Sequence, residues 1–446
     1  MSHSPIFETH IPPAVAASAE WGRGKEFVKE SIPLGRQLRR LFWHVVARQL
    51  TLCCIIAINI AGWIGRRRRA LNDEGCEIML TGRFDSDNWI RAHLGPLSAS
   101  PACSRLWMVS TNPVPALPKV EPIYPPKWLI NFVGATQARL LVFLYAAMRN
   151  KPHVVGGFHI IPNGVGAAIA GRLAGARSMY FSVGGPTEIC DGGIHSETWY
   201  FQKMETPDPV VEKRLLSIIS KFDLVVTMGT KAVDFFRKKN VHTEFQVLSG
   251  GIDSQRFQPF NGKPSFDLIL TGRLTEIKRI DIFLQAVKLV TDKIPKARAL
   301  IVGDGKRLAE LKQMACDLDI DDNVQFAGRQ NNVEAWVRES KIFVLTSDSE
   351  GLSLSMMEAM MCGLPVVVSD VGDLGDLAED NVNGFLVPRR CPEQFAARII
   401  ELLTDKKKLK AFSKAARHSA LDYSIQAATD EWNHVIESTR LAEYKV

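Results

Sequence analysis

The feature that most constrains the fold is a regular alternation of apolar strands and helices in the second half of the chain. Strands are predicted at 267–271, 298–302, 324–327, 342–346, 365–369 and 384–387. Helices are predicted at 280–294, 306–319, 332–340, 353–362, 374–379 and 392–404. Continuous apolar strands separated by helices are typical of a parallel, doubly wound sheet whose two faces are both covered.

The first half shows a looser version of the same pattern. Strands are predicted at 77–81, from Val154, at 179–183 and at 224–228, and helices at 128–148, 164–173 and 230–239. Six prolines within 113–126 predict a loop, because proline removes ladder donors and breaks helices. A Pro- and Gly-containing linker at 254–264 separates the halves. We therefore predict a two-domain α/β enzyme with a ligand cleft between the carboxyl ends of its strands.

Composition excludes several classes of protein and of site. With 446 residues, 46% hydrophobic and 23% charged, the chain is neither disordered nor fibrous and can bury a large core. Its eight cysteines contain no C-x-x-C pair, which indicates a reducing compartment. Its ten histidines form no H-E-x-x-H or comparable pair. We therefore predict neither a metal site nor a cofactor.

The net charge of +7 is concentrated near the amino terminus. Residues 1–75 carry eleven Lys and Arg against six Asp and Glu. Eight arginines and no acidic residue lie between Glu30 and Asp73, on either side of an apolar run at 50–64. An Ile-rich run inside a basic cluster suits an anionic bilayer surface better than nucleic acid. We predict membrane association through residues 36–69 and no nucleic-acid partner.

How residues 41–64 meet the membrane is left open by the sequence. The segment begins too late for a signal peptide. Trp43 to Trp63 is long enough to span as a helix, but Arg48, Gln49 and Asn59 lie within it. Apolar positions cover the whole helix circumference, which is poor for one-sided interfacial binding, and packing on the protein is the third alternative. If the helix spans, Arg66–Arg69 would hold its carboxyl side in the cytoplasm.

The stretch 347–358 is the most informative for chemistry. A polar turn follows the strand at 342–346, and a helix begins near Ser353. The small residues Gly351 and Ser353 leave the first amides of that helix open, which predicts an anion site suited to a phosphate. Glu350 lies where a carboxylate can face a sugar, and Glu358 lies where it can accept hydrogen bonds from ribose hydroxyls.

A second polar cluster follows the strand at 267–271. Its sequence is Gly272-Arg273-Leu274-Thr275-Glu276-Ile277-Lys278. Arg273 can bind a phosphate bidentately and Lys278 can act as a point charge. This cluster and the stretch 347–358 each follow the carboxyl end of a strand in the same predicted sheet. We therefore expect them to form one site.

Together these residues resemble the GT-B nucleotide-sugar glycosyltransferases of family 4. The motifs are Gly272-Arg273-Leu274 with Lys278, Val302-Gly303-Asp304-Gly305, and Glu350-x7-Glu358 followed by Ala359-Met360 and Gly363-Leu364-Pro365-Val366-Val367. The resemblance covers 222–405 well and 76–200 loosely, and residues 1–75 fall outside it. It implies two Rossmann-like domains facing a cleft, a retaining transfer of sugar and, in most members, no metal.

The resemblance also implies roles for individual residues. Arg273 and Lys278 would neutralise the donor diphosphate, Glu350 would contact the sugar, and Glu358 would bind the ribose. The remaining donor-binding positions are Gly272, the amides of Gly351, Leu352 and Ser353, and Arg329, which lies where the family holds the base. A departing nucleoside diphosphate develops negative charge that two cations and a helix amino terminus can stabilise.

The first domain departs from the family pattern at two places. A single glycine, Gly82, follows the first strand where members commonly have two. Gly184 occupies the position of a histidine that contacts the sugar in many members. His159 is a candidate substitute for that histidine, and Glu188 is a second candidate on the acceptor side.

We therefore predict a retaining transferase that moves a sugar from a nucleoside-diphosphate sugar to a lipid-linked or polysaccharide acceptor at the cytoplasmic membrane face. Two alternatives remain: a nucleotide-sugar epimerase, and a non-catalytic membrane-anchored scaffold of the same fold. The predicted units are an extension, an acceptor-side domain, a donor-binding domain and a helix crossing back to the first domain: 1–75, 76–255, 256–425 and 426–446.

Overall fold

The computed structural model describes residues 33–66, 75–84, 86–196, 198–260 and 262–443, with side chains as far as 438. The prediction for Arg67–Arg69 concerns positions outside these ranges, so only Arg66 of that basic run is described.

Thirteen strands and sixteen helices make up the described chain. The strands are β1 Cys76–Thr81, β2 Cys103–Val109, β3 Val120–Ile123, β4 Val154–Phe158, β5 Arg177–Ser182, β6 Leu224–Thr227, β7 Glu244–Val247, β8 Phe266–Thr271, β9 Ala299–Val302, β10 Val324–Gly328, β11 Ser340–Leu345, β12 Val366–Ser369 and β13 Gly384–Val387. The helices are α1 Leu34–Ile64, α2 Asp87–Ala99, α3 Lys127–Val133, α4 Ala135–Asn150, α5 Val165–Ala174, α6 Cys190–Gly193, α7 Trp199–Gln202, α8 Pro209–Ile219, α9 Thr230–Lys238, α10 Ile280–Thr291, α11 Leu308–Asp317, α12 Val333–Arg338, α13 Leu354–Met361, α14 Pro392–Thr404, α15 Lys406–Leu421 and α16 Ile425–Glu443.

The strands form two parallel sheets, as the alternating pattern predicts. The first has the order β3-β2-β1-β4-β5-β6-β7 and the second the order β10-β9-β8-β11-β12-β13. Every strand pair is parallel, and helices cover both faces of each sheet. Two doubly wound domains of this kind are the GT-B architecture. In such sheets the carboxyl ends of the strands carry the ligand site.

The last helix returns to the first domain. Helix α16 packs on α2, and Trp432 is buried in the same hydrophobic core as Ile78 and Phe181 of the first sheet. The side chain of Asn433 accepts hydrogen bonds from the Ser100 hydroxyl and from the backbone amide of Ala102. The chain therefore crosses between the domains twice.

The second domain also caps a helix of the first. Asp376 accepts hydrogen bonds from the amide and the hydroxyl of Thr230, at 2.6 and 2.8 Å, at the beginning of α9. Asp373 accepts from the amide of Ala232 at 3.1 Å. The free N–H groups at the start of α9 are thus satisfied by carboxylates from the other domain, as an N-cap residue normally does locally.

The Pro-rich segment is not the uninterrupted loop that its prolines predict. Residues 120–123 form the edge strand β3, which pairs with β2 alone. Backbone amides of Leu106 and Ser110 donate to carbonyls at Lys119 and Ile123. An edge strand that mainly accepts hydrogen bonds tolerates a proline, here Pro122, because the missing donor faces away from the sheet.

Two predicted helices also differ from those observed. The helix predicted over 128–148 is two helices, α3 and α4, divided at Gly134 with φ +86°. The helix predicted at 374–379 is only a short 3₁₀ turn, Leu374–Asp376. Asp376 of this segment and Asp373, directly before it, cap α9, so the turn serves the domain contact.

Helix α1 is 31 residues long and lies on the first domain against α5 and α8. Its buried residues include Ala47, Thr51, Ile58 and Ala61. It is the one helix of the described residues that is long and apolar enough to cross a membrane by length and composition, and only 17% of its most apolar 18-residue window is buried.

Candidate functional site

The loops at the carboxyl ends of the two sheets meet in the cleft between the domains. Gly351 follows β11 in the second domain, and Val183 follows β5 in the first. A Cβ atom added at Gly351 would lie 3.1 Å from the carbonyl oxygen of Val183 and 3.3 Å from the Met228 side chain. The predicted anion-binding loop therefore lies directly against the first domain.

Lys278 and Glu350 form an ion pair at the base of this cleft. The Nζ of Lys278 donates to Oε1 of Glu350 at 2.6 Å, and the two side chains are 14% and 11% exposed. The hydroxyl of Ser347 donates to the same carboxylate oxygen at 2.5 Å. The structure thus brings together two of the three residues predicted to act on the donor.

Backbone contacts between the two loops hold this ion pair in place. Thr346 donates from its hydroxyl to the carbonyl oxygen of Arg279 at 2.8 Å. The amide of Asp348 donates to the carbonyl oxygen of Ile277 at 2.8 Å. The Asp348 carboxylate in turn pairs with Arg390 at 2.7 Å. Because β8 and β11 are neighbours in the sheet, their loops are adjacent and are joined along several residues.

A glycine is required where the next loop passes behind the site. Gly303 follows β9 with φ +148°, and a Cβ atom there would overlap the carbonyl oxygen of Gly272. Gly272 itself adopts φ +156°. Only glycine adopts such a backbone without strain and allows this close approach, so the Val302-Gly303 turn positions the loop that carries Arg273.

Helix α13 presents its amino terminus to the cleft. Ser353 precedes the helix, but no side chain caps it, and the Ser353 hydroxyl is instead 2.9 Å from that of Ser355. Leu352 is buried and anchors the turn. The first N–H groups of an α-helix have no intrahelical partner, and together with the helix dipole they favour a phosphate.

Glu358 lies inside α13 and is buried where the two domains meet. Burial raises the pKa of its carboxyl from 4.5 to about 8, and nearby Arg256 offsets this only in part. The Asn88 side-chain amide, from the first domain, is 3.5 Å from Oε1. Arg256 donates to Asn88 at 2.7 Å and to Glu334 at 2.8 Å. Glu358 is therefore a buried acceptor to which few hydrogen bonds are donated in this state.

Arg273 and Arg329 lie at the carboxyl ends of β8 and β10, on the same edge of the sheet as the Lys278–Glu350 pair. Both side chains are exposed. They are placed on the side of the cleft that the prediction requires, but farther towards solvent than Lys278.

On the first-domain side, His159 and Glu188 are brought together. Nδ1 of His159 is 3.1 Å from Oε1 of Glu188. The same carboxylate accepts from the amides of Ile160 and Gly184, at 2.8 and 2.9 Å, and from the Tyr180 hydroxyl at 3.1 Å. Burial alone would raise the pKa of Glu188, but His159 and the amides outweigh it and hold the pKa below its usual value. Glu188 is a fixed, ionised anchor, while the His159 ring is 38% exposed.

This network also restricts the space beside Gly184. A Cβ atom at Gly184 would lie 2.9 Å from the side chain of Glu188. The carboxyl group of Glu188 therefore occupies the space into which a side chain at 184 would extend, and the imidazole of His159, directly after β4, contacts the same carboxyl group.

Several residues of the site carry no signal in the sequence. Asn88 and Arg256 contact the Glu358 region from the first domain and from the linker, and only the folded arrangement brings them there. Ser347 and Asp348 follow a strand in a polar turn, which is a usable but weak signal.

No cluster of three or more His, Cys, Asp or Glu that could hold a metal occurs within the described ranges.

Comparison with known proteins gives a family match in the second half of the chain. Residues 251–419 match the family described as Glycosyl transferases group 1. An uncharacterized glycosyltransferase of Haemophilus influenzae is 31% identical over 170 residues, which are 38% of this chain and 48% of the relative. The Escherichia coli UDP-Gal:alpha-D-GlcNAc-diphosphoundecaprenol alpha-1,3-galactosyltransferase is 24% identical over 318 residues, 68% of this chain and 80% of the relative.

The fold has a close counterpart among solved structures. Anabaena HepE in complex with UDP-glucose superposes with a TM-score of 0.63 at 18% identity, covering 81% of this chain and all of HepE. At this identity the superposition establishes the GT-B fold alone. The chain spans only about half the length of the Haemophilus relative (48%). Arg273, Lys278, Glu350 and Glu358 all lie within residues 251–419, the part that matches the glycosyl transferases group 1.

Proposed function

We propose that this chain is a retaining glycosyltransferase that moves a sugar from a nucleoside-diphosphate sugar to a lipid-linked or polysaccharide acceptor. The observation that carries the proposal is the Lys278–Glu350 ion pair beside the uncapped amino terminus of α13, in the cleft between two GT-B domains. This arrangement combines a cation, a carboxylate and free amides at one place.

The donor diphosphate is the group that this arrangement suits. As the bond from the sugar to the diphosphate breaks, negative charge develops on the leaving phosphate. Lys278 and Arg273 supply positive charge there, and the amides of 351–353 supply hydrogen-bond donors. We expect these groups to stabilise the leaving group without a metal ion, since they supply positive charge and hydrogen-bond donors at one edge of the sheet.

A diphosphate bound at Lys278 and at the amides of 351–353 would also determine the other contacts of the donor. Glu350, freed from Lys278 when the diphosphate takes over that cation, is available to hydroxyls of the donor sugar. Glu358 accepts from ribose hydroxyls, which replace the weak contact with Asn88. Arg329, at the end of β10, lies on the base side.

On the acceptor side, His159 and Glu188 form the polar group nearest to the loop of Gly184. The imidazole is held by a buried carboxylate and faces outward, so it can orient a sugar hydroxyl of donor or acceptor. We propose it as the counterpart of the histidine that the family places at position 184.

Two observations favour an acceptor at a membrane. The E. coli relative is named for an acceptor linked to diphosphoundecaprenol. Helix α1 presents exposed apolar residues beside exposed arginines, which suits the cytoplasmic face of an anionic membrane.

Calorimetric titration of the full chain with UDP, GDP and ADP tests the proposal. We expect one nucleotide to bind at micromolar concentration, and Lys278→Ala to lose that binding. Lys312→Ala, which removes an exposed lysine from α11 of the same domain, is the matched control and should bind normally. Absence of binding in the folded wild type would favour a scaffold. Release of an altered sugar without any acceptor would favour an epimerase.

A further inference from the structure

Helix α1 has two faces with different surroundings. The residues that turn towards α5 and α8 are buried, among them Ala47, Thr51, Ile58 and Ala61. The opposite face carries exposed large apolar side chains along its whole length. Six of them, between 46% and 88% exposed, are Leu38, Leu41, Phe42, Ile56, Ile60 and Trp63.

The geometry of the helix collects these exposed residues into one stripe. With 3.6 residues per turn they fall within an arc of about 100°, and the helix is about 45 Å long. The prediction of a poor one-sided interfacial helix considered the isolated segment, whereas α1 packed on the domain exposes only this stripe. One apolar face is used for packing on the domain and the other remains available.

Buried polar contacts fix α1 along the side of the first domain. His44 lies 2.7 Å from the carboxylate of Asp208, and Arg48 donates to the same carboxylate at 2.9 Å. Arg40 donates to Glu205 at 2.6 Å. Asp208 is fully buried and also caps α8. A helix crossing the bilayer would have to leave these partners behind, because a folded domain cannot enter the hydrocarbon with it.

A second apolar surface lies on the same side of the sheet. Helices α3 and α4 come after the Pro-rich segment, and α4 packs on α5 as α1 does. Trp128 and Phe132 of α3 are 68% and 84% exposed, and Leu141, Tyr145 and Met148 of α4 are exposed at helical spacing. Exposed aromatic and aliphatic residues on two neighbouring elements exceed the scattered apolar residues of an ordinary surface.

The charge of both surfaces has one sign. No Asp or Glu occurs in residues 31–72 or 122–187, which contain eight and six Lys or Arg respectively. Arg39, Lys127, Arg149 and Lys151 are exposed beside the apolar residues. Apolar side chains bordered by basic ones, on segments that contain no acidic residue, match an anionic lipid bilayer.

We propose that α1 together with α3 and α4 forms one docking surface for an anionic bilayer, with α1 lying in the plane of the interface and not crossing it. This inference rests on the proposed action at a membrane, but it concerns binding and is measured without any acceptor. The main packing contacts of α1 are with α5, α7 and α8 of the first domain, so the donor-binding domain stays accessible to soluble nucleotide sugar.

Flotation of the full chain with vesicles of phosphatidylglycerol and phosphatidylcholine tests the docking surface. The triple variant Ile56→Glu/Ile60→Glu/Trp63→Glu should lower partition onto the anionic vesicles by about tenfold or more, since it removes apolar burial and adds repulsion. Trp128→Ala/Phe132→Ala should lower it as well. Val382→Glu, at an exposed apolar residue of the second domain, is the matched control and should bind as wild type.

Depth measurements decide the orientation. In a chain whose exposed Cys53 and Cys316 are replaced by Ser, fluorophores attached through Leu41→Cys, Ile56→Cys and Trp63→Cys should all be quenched best by shallow lipid quenchers if α1 lies in the plane. A deep position at 56 flanked by shallow ones would overturn the proposal in favour of a spanning helix. Equal partition of wild type and both variants would also overturn it, as would a dimer in solution that the triple variant abolishes. Unchanged nucleotide affinity in the variants separates these results from failure of the transferase assignment.

Discussion

The buried carboxyl of Glu358 makes a quantitative prediction about stability. Its pKa is raised from 4.5 to about 8, chiefly by burial. The folded-state pKa of Glu358 lies above that of the unfolded chain. Below pH 4.5 the carboxyl is protonated in both states and hardly changes the free energy of unfolding. Between pH 4.5 and 8 it lowers the free energy of unfolding increasingly, and above pH 8 the reduction is constant. One pKa unit corresponds to about 1.4 kcal/mol, so Glu358 should destabilise the fold by about 3 kcal/mol more at pH 8 than at pH 5.

The substitution Glu358→Gln removes this titration while preserving shape. Urea unfolding of wild type and variant, monitored at pH 5 and pH 8, should show a stability difference that grows by about 3 kcal/mol in favour of the variant. Comparing the two proteins cancels every other titrating group. Glu339→Gln, an exposed glutamate at the end of α12 in the same domain, is the matched control and should show almost no growth.

A difference between wild type and Glu358→Gln that is equal at both pH values would refute the reasoning. It would mean that the carboxyl is hydrated or paired in the folded protein, and that the cleft around it is open to water. The same substitution should weaken nucleotide binding, because ribose hydroxyls favour an ionised carboxylate acceptor, which the amide cannot provide. A stabilised protein with weaker binding is the signature of a residue retained for its ligand.

The other predictions concern the cations, the acceptor side and the loop geometry. Lys278→Ala should keep the fold and lower turnover by about 10²–10³, with Lys278→Arg recovering part of it, as steady-state kinetics would show; near-normal turnover would refute the donor-site assignment. Glu188→Gln should reduce turnover while leaving nucleotide affinity unchanged in calorimetry, because it releases His159 and not the donor site; a parallel loss of nucleotide binding would count against this division of roles. Gly303→Ala should lower the melting temperature and nucleotide affinity together, since its side chain displaces the loop at Gly272; unaltered affinity would show that the loop does not position Arg273.

The strands and loops of the second domain could be predicted from sequence because neighbouring residues are enough to recognise them. Apolar runs identify β8 and β11, and a parallel sheet places the loops after these two strands on one edge. The contact of Lys278 with Glu350 is then a consequence of strand order, although 72 residues separate them. The turn glycines support the same conclusion, because their conformations leave few alternatives.

The surroundings of Glu358 could not be predicted in this way. Its raised pKa depends on burial between domains and on Asn88, 270 residues away in the chain. The reason for a glycine at 184 could not be predicted either, because it depends on the position of the Glu188 carboxyl group in the folded protein. Position in the sequence suggested that both residues matter, but the reasons are long-range.

The two faces of α1 illustrate a limit of periodicity. A helix that buries one face in protein and exposes the other to lipid is apolar on all sides. A helical-wheel projection of its sequence cannot distinguish it from a helix in a protein core or across a bilayer. The contacts of His44 and Arg48 with Asp208 show which face of α1 packs on the first domain, and that information is absent from the sequence pattern.

The caps that Asp373 and Asp376 provide to α9 tie the fold of one domain to the position of the other. Separating the domains would leave the amides of Thr230 and Ala232 without those carboxylates, at a cost of about 1 kcal/mol or more for a lost cap. The resting molecule is therefore biased towards a closed cleft before any donor arrives. Under the proposed function, the cleft must open against this bias for a nucleotide sugar to enter and again for the product to leave. We therefore expect the opening step to influence the rate of product release.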